Sequence, residues 1–310
     1  MSVSPTLERK LCAALEAKNL DAVLAALDSV TRWLDDDPKA HQVLGVPSII
    51  MGPDQGLTAR LTVAYLGDRP RELHAWTRTL LSHDHSSIRG IGVMMLPDLY
   101  PYRPKFVVAQ LLRFADDANW IMRENAGSAA GRVLNDHFDG LYPVMERWTR
   151  HKSENVRRAV VIATMQAFDR RRPQPERAKP LLRLHDALVS DRAEYVRVNL
   201  GPFAIGAMIL PHYPEATLKR LHQWARRRDE AARWNVAMVW TSAGARKYAE
   251  SGIGLLAQLA ADERRFVWRA VASGMVKLAR ARPDVCRPVI AAWSRDSKRA
   301  HVAEVVRKYI

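Results

Sequence analysis

A short unit recurs along this chain at the spacing of a helical hairpin, and it limits the possible folds more than any other feature. The unit is an Asp, four intervening residues, an apolar anchor often followed by Arg, and a second apolar residue four positions after the anchor. Asp117 leads to Met122, Arg123 and Ala126, and Val156 is followed by Arg157, Arg158 and Val160. Asp191 leads to Val196, Arg197 and Leu200, Asp229 to Trp234 and Met238, and Asp262 to Val267 and Val271. Weaker copies stand at Ile88 with Arg89 and at Val302 with Val306. The anchors at 88, 122, 156, 196, 234, 267 and 302 are separated by 34, 34, 40, 38, 33 and 35 residues.

That spacing fits a HEAT-like helical hairpin and is too irregular for a coiled coil. The predicted architecture is all-α, a curved α-solenoid of such hairpins with a basic concave face. An N-terminal helical cap and connecting loop cover 1–70, and one continuous repeat domain covers 71–310. Each Asp is expected to cap a helix by accepting orphan backbone N–H groups. The anchor and the residue four later share one helical face and point into the core, while the Arg beside the anchor points away. A second amphipathic helix per repeat is read at 141–151, 215–227 and 287–296, with Trp148, Trp224 and Trp293 as core knobs. Alternating β-branched runs are absent, and Pro and Gly fall between helical segments. Residues 35–57 read as the longest irregular stretch, and RRRPQPERAKP (170–180) reads as an insertion that accounts for the 40-residue gap.

Of the 310 residues, 48% are hydrophobic and 26% charged, a folded rather than a disordered composition. No apolar run is long enough for a membrane span, and charges interrupt the N-terminal segment, so a cytoplasmic protein is expected. Cys12 and Cys286 are far apart, and no Cys/His set has zinc spacing, so no disulfide framework, metal or cofactor is implied. His83, Asp84 and His85 read as a hydrated loop, and Asp35–Asp37 as a solvated helix end. Phosphate-loop, dinucleotide, HExxH and GxSxG motifs are all missing. The charge is more telling: 48 Lys and Arg against 33 acids give a formal +15, which calls for an anionic partner. Arg suits phosphate because its planar fork can donate to two oxygens together.

Two positions after the anchors stand Gly90, Glu124, Arg158, Val198, Val236, Arg269 and Glu304. Glu124 therefore interrupts a neighbourhood otherwise basic or neutral: Arg89, Arg123, Arg157, Arg158 and Arg197. A carboxylate there repels phosphate, so it either pairs with a neighbouring Arg or does chemistry. Trp120 stands four residues earlier on the same helix face. Trp240 is a further candidate for the concave side, as is Trp268, which takes the position where other repeats carry Arg.

From about 83 to the end, the sequence resembles the AlkD/AlkC superfamily of HEAT-like DNA glycosylases. The resemblance rests on the repeats and on NWIMREN (119–125), SENVRRAV (153–160) and FVWRAVASGMVKLARARPDVC (266–286), with LGVP (44–47) as a shorter shared feature. It implies that Glu124 matches the family's catalytic acid, Trp120 its tryptophan and Arg158 an Arg that contacts the DNA backbone. The acid here is Glu rather than Asp. Where a second family Trp is expected, in the helix over 267–280, Ser273 stands instead, leaving Trp240 or Trp268 as replacements. The implied activity is cleavage of the N-glycosidic bond of cationic N3- or N7-alkylated purines in double-stranded DNA by a monomer. Bulky adducts, and hence resistance to a DNA-alkylating natural product, fall within it. Glu124, Trp120 and Trp240 would be catalytic, and Arg89, Arg123, Arg157, Arg158, Arg197, Trp268 and Arg269 would bind DNA. A non-catalytic damage-binding protein and a protein–protein scaffold are the competing readings.

Overall fold

The second helix of a helical hairpin carries each of the seven anchors. In a computed structural model, which describes residues 5–17, 19–26 and 48–310, these hairpins pair Pro70–Leu81 with Ser86–Leu99 and Pro104–Ala115 with Trp120–Asp136. They continue with Phe138–Trp148 and Glu154–Thr164, then Ala178–Leu188 and Glu194–Asn199, then Pro214–Ala225 and Glu230–Val239. Ala249–Leu259 pairs with Arg265–Ala281, and Pro283–Trp293 with Ala300–Arg307. The expected all-α class of helical hairpins is what the described residues form. They fall into two compact units, Met1–Val133 and Leu134–Ile310.

In the second unit the hairpins stack in two layers. Second helices pack on second helices from Glu154–Thr164 through Ala300–Arg307, and first helices on first helices from Ala178–Leu188 through Pro283–Trp293. Trp148, Trp224 and Trp293 are buried in the first-helix layer, as their spacing predicts. The Trp224 indole Nε1 donates to Asp186 at 2.7 Å, so its one polar atom is satisfied. In the first unit, Ser48–Leu66 packs on Ser86–Leu99.

Hydrogen bonding in the hairpin turns refines the repeat. Only Asp229 caps its helix as expected, accepting from the Ala232 N–H at 2.7 Å. Asp117, Asp191 and Asp262 act earlier in the turn. Each accepts the N–H of the residue just before the helix, Asn119 (2.8 Å), Ala193 (2.9 Å) and Arg264 (3.1 Å). His83 and His151 do the same with Nδ1, accepting from His85 and Ser153 at 3.0 and 3.1 Å. Asn119, Ser153 and His85 are then the capping acceptors, for Ile121, Asn155 and Ser87.

The Arg after the anchor points away from the core, as expected, and has a fold role as well. Arg89 Nη1 donates to the carbonyls of His83 and Asp84 at 2.9 and 2.6 Å, and Arg123 to those of Asp117 and Ala118, both at 2.8 Å. Arg157 donates to His151 and Lys152 at 2.8 and 3.0 Å, and Arg197 to Arg192. These guanidinium groups staple the turn between the paired helices.

Arg233 makes the same staple, donating from Nε to the Arg227 carbonyl at 2.7 Å. The anchor of this repeat is therefore Ala232, fully buried, with Val236 four residues on, and Trp234 is only half-buried. Anchoring at Trp234 is corrected by two residues. Trp240 then falls eight residues after the anchor, on the core stripe.

Two further expectations change. Residues 48–57, read as irregular, begin the helix Ser48–Leu66, while 35–47, including Asp35–Asp37 and LGVP, lie outside the described residues. The 170–180 insertion holds a 3-10 turn, Pro175–Arg177, and Arg177 fixes it by donating to Asn135 Oδ1 at 3.0 Å and the Ala167 carbonyl at 2.6 Å. Leu200–Ile209 runs on from Glu194–Asn199 as a π-helix. It lies so close to Glu230–Val239 that a Cβ on Gly206 would sit 2.5 Å from the Val239 carbonyl oxygen. Buried Asn235 serves this contact, accepting from the Gly201 N–H at 3.2 Å and donating to Val189 at 2.9 Å. No helix among the described residues is long and apolar enough to cross a membrane.

Candidate functional site

In the first unit the turn before Trp120–Asp136 decides where the candidate pair stands. Asp117 holds Asn119, Asn119 caps the helix, and Trp120 becomes its first residue, 41% exposed. A tryptophan this open lacks the packing of the core indoles. Glu124 follows one helical turn later, half-buried, beside the stapled Arg123. The neighbouring helix contributes Gly90 at the same repeat position as Glu124. A Cβ there would come within 2.9 Å of Asn125 Nδ2 and 3.0 Å of Gln55 Oε1. Gln55 is buried on Ser48–Leu66, and its Oε1 accepts from Asn125 at 3.5 Å. Three helices thus meet around two amides next to the acid-bearing turn. An exposed indole face, a carboxylate and fixed amides suit a cation and a positioned water better than a phosphate. Sequence spacing marked Trp120 and Glu124. Gln55 and Gly90 were missed, because their approach to Asn125 is a long-range contact with no local pattern.

Arg89 also lies in the first unit, stapled to its own turn, and the second unit holds the other expected residues. Arg158 is buried, its guanidinium carbon 4.5 Å from the centre of the Tyr195 ring, so it is a packed cation and not an open one. Arg157 donates to Asp191 through Nε at 2.6 Å and Nη2 at 3.2 Å, joining one hairpin to the next. Arg269 is exposed, and Trp268 is half-buried, edge-on to His301 at 5.1 Å. Ser273 is exposed and donates to the Arg269 carbonyl at 3.0 Å.

Trp240 is not at an open surface. It is fully buried against Gly252, where a Cβ would lie 2.5 Å from the indole Cε3. Its position on the corrected core stripe explains this, and the expectation that it lines a groove is withdrawn. Trp234, expected in the core, instead stacks on Phe266 with ring centres 5.4 Å apart and planes 11° apart. The Arg197 guanidinium carbon lies 5.8 Å from the centre of the Trp234 ring and 5.1 Å from that of Phe266. Tyr195 and Phe266 both directly precede an anchor, a position whose aromatic content was legible and not used.

Residues 58–203 match the model of the DNA alkylation repair enzyme family. That segment, a little under half of the chain, contains Trp120, Glu124 and Arg158. No curated protein matches the sequence. Among solved structures, the chain is similar to smu.31 from Streptococcus mutans UA159, at 15% identity and a TM-score of 0.29, over 83% of this chain and 92% of that one. It is also similar to AlkD2 from Streptococcus mutans, at 15% identity and a TM-score of 0.31, over 83% of this chain and 89% of that one. An engineered protein aligns at 12% identity and a TM-score of 0.37, over 94% of this chain and 80% of its own.

Proposed function

We propose that this protein is a monofunctional DNA glycosylase that hydrolyses the N-glycosidic bond of N3- or N7-alkylated purines in duplex DNA. The carrying observation is the open Trp120 indole one turn before Glu124, within the segment matched by the DNA alkylation repair enzyme family. Alkylation leaves positive charge on the base and weakens the bond, and departure of the base develops oxocarbenium character on the sugar. The Glu124 carboxylate stabilises that cation and orients the attacking water. The Trp120 face adds cation–π attraction to the charged base or the sugar. The net charge of +15 draws the duplex in, with exposed Arg269 among the phosphate contacts. The stapled arginines Arg89, Arg123, Arg157 and Arg197 can donate to phosphate only with the N–H groups their turns do not use.

The test is base release from duplex DNA carrying N7-methylguanine or a bulkier N7 or N3 adduct. Wild type is expected to release free base, and Glu124→Gln to do so about 100-fold more slowly. Equal rates for both would remove Glu124 from the chemistry. DNA retention with no base released from any adduct would make the protein a non-catalytic damage binder, the reading that Ser273 in place of a family tryptophan favours.

A further inference from the structure

We propose that Arg197, Trp234 and Phe266 form a second recognition site, which stacks a neutral, unpaired DNA base. The proposal rests on the DNA-binding reading above and adds a ligand to a surface outside the catalytic turn. Trp234 and Phe266 lie beyond the family-matched segment.

The three side chains come from three successive hairpins, and the repeat explains their meeting. Arg157 and Arg233, each directly after an anchor, pair with the Asp that opens the next turn, Asp191 at 2.6 Å and Asp262 at 2.7 Å. For Arg197 the equivalent position in the next turn is Arg227, a cation. Its guanidinium turns to the aromatic faces instead. Trp234 is brought alongside by the two-residue shift that puts Ala232 at the anchor, and Phe266 by its place directly before Val267.

As inter-repeat packing alone this stack is poorly covered. Phe266 is 37% exposed and Trp234 half-buried, whereas Trp224 and Trp240, on the same hairpin as Trp234, are fully buried. Parallel rings with solvent access are a platform for another flat ring, and nucleobases are the flat rings of this ligand class. The cations choose which base. Arg197 repels a cationic alkylated purine, so the platform takes a neutral base, such as the one left without a partner opposite a lesion. Exposed Arg265 and Arg269, one turn apart on the helix that carries Phe266, are placed for the adjoining phosphates. Exposed Glu230, one turn before Trp234, keeps phosphates from the other side.

The experiment is fluorescence anisotropy of the full chain with an intact duplex and with the same duplex carrying one unpaired base. Wild type is expected to prefer the second about tenfold, as a single stacked base implies. Phe266→Ala and Trp234→Ala should reduce that preference to within about twofold and leave intact-duplex affinity and its salt slope unchanged, while Trp234→Phe keeps most of it. If Trp234→Ala does not fold, Phe266→Ala decides, since its ring is at the open edge. With 2-aminopurine as the unpaired base, wild type should quench its fluorescence and Phe266→Ala should not. Equal wild-type affinity for the two duplexes, or equal weakening of both by the variants, overturns the site and leaves the DNA-binding reading intact. Failure of wild type to bind either duplex overturns both.

Discussion

Trp120–Asp136 and Glu230–Val239 are built to one plan and carry the same two residue types in opposite order. The first places Trp120 in its opening turn and Glu124 one turn later; the second opens with Glu230 and places Trp234 one turn later. Position within the turn changes what the pair can do. Glu230 is exposed beside a helix N-terminus, where backbone N–H groups already favour an anion. Glu124 lies farther from that end and is half-buried, a place where a carboxylate is less screened by water. Trp120 keeps an open face, while Trp234 is partly covered by Phe266 and Arg197. One repeat grammar thus yields a turn suited to a developing cation and a turn suited to a neutral ring.

The largest effect separates both from the tryptophan that looked like a third member. Trp240→Ala should destabilise the fold by about 4 kcal/mol, because it empties a filled slot against Gly252. Denaturant unfolding measures this; a loss below about 1 kcal/mol would return Trp240 to the surface. Next is the reversed pair itself. Glu124→Gln is expected to slow base release about 100-fold, some 2.7 kcal/mol, while Glu230→Gln changes it less than about twofold. Similar losses in both would dissolve the contrast.

Arg157→Leu probes the junction where the cation meets an acid rather than a ring. The Asp191 side chain is only 8% exposed, so removing its partner should cost about 2 kcal/mol in thermal or chemical unfolding. Arg197→Leu, which leaves no buried carboxylate behind, should cost less. The smallest effect per step is acid sensitivity. Burial pushes the His185 imidazole down to about 3, and its Nε2 lies 2.9 Å from the Thr164 hydroxyl, which donates to the Val161 carbonyl. The folded state refuses a proton that the unfolded chain accepts below its ordinary value of 6.5. His185 therefore lowers stability by about 1.4 kcal/mol for each pH unit below that value, levelling off near the folded value. His185→Leu should flatten that part of the curve; an unchanged slope would mean that the imidazole is charged in the fold.

Among the described residues, periodicity determined the all-α hairpin class, the hairpins that carry the seven anchors and six of those anchors, since an apolar residue recurring at helical spacing has one stable use, burial against the next hairpin. It also marked Trp120 and Glu124, because a pair four residues apart must share a face whatever surrounds the helix. Tertiary structure alone decided the rest. The register of the repeat at Ala232 depended on which Arg reached back to close its turn, and that shift sent Trp240 inward and Trp234 outward. The use of each Arg depended on whether the next hairpin offered Asp191, Asp262 or a stacked ring. The contacts that decide each Arg's use join residues 29 to 69 positions apart, and a pattern read along the chain carries no information on them until packing brings the partners together.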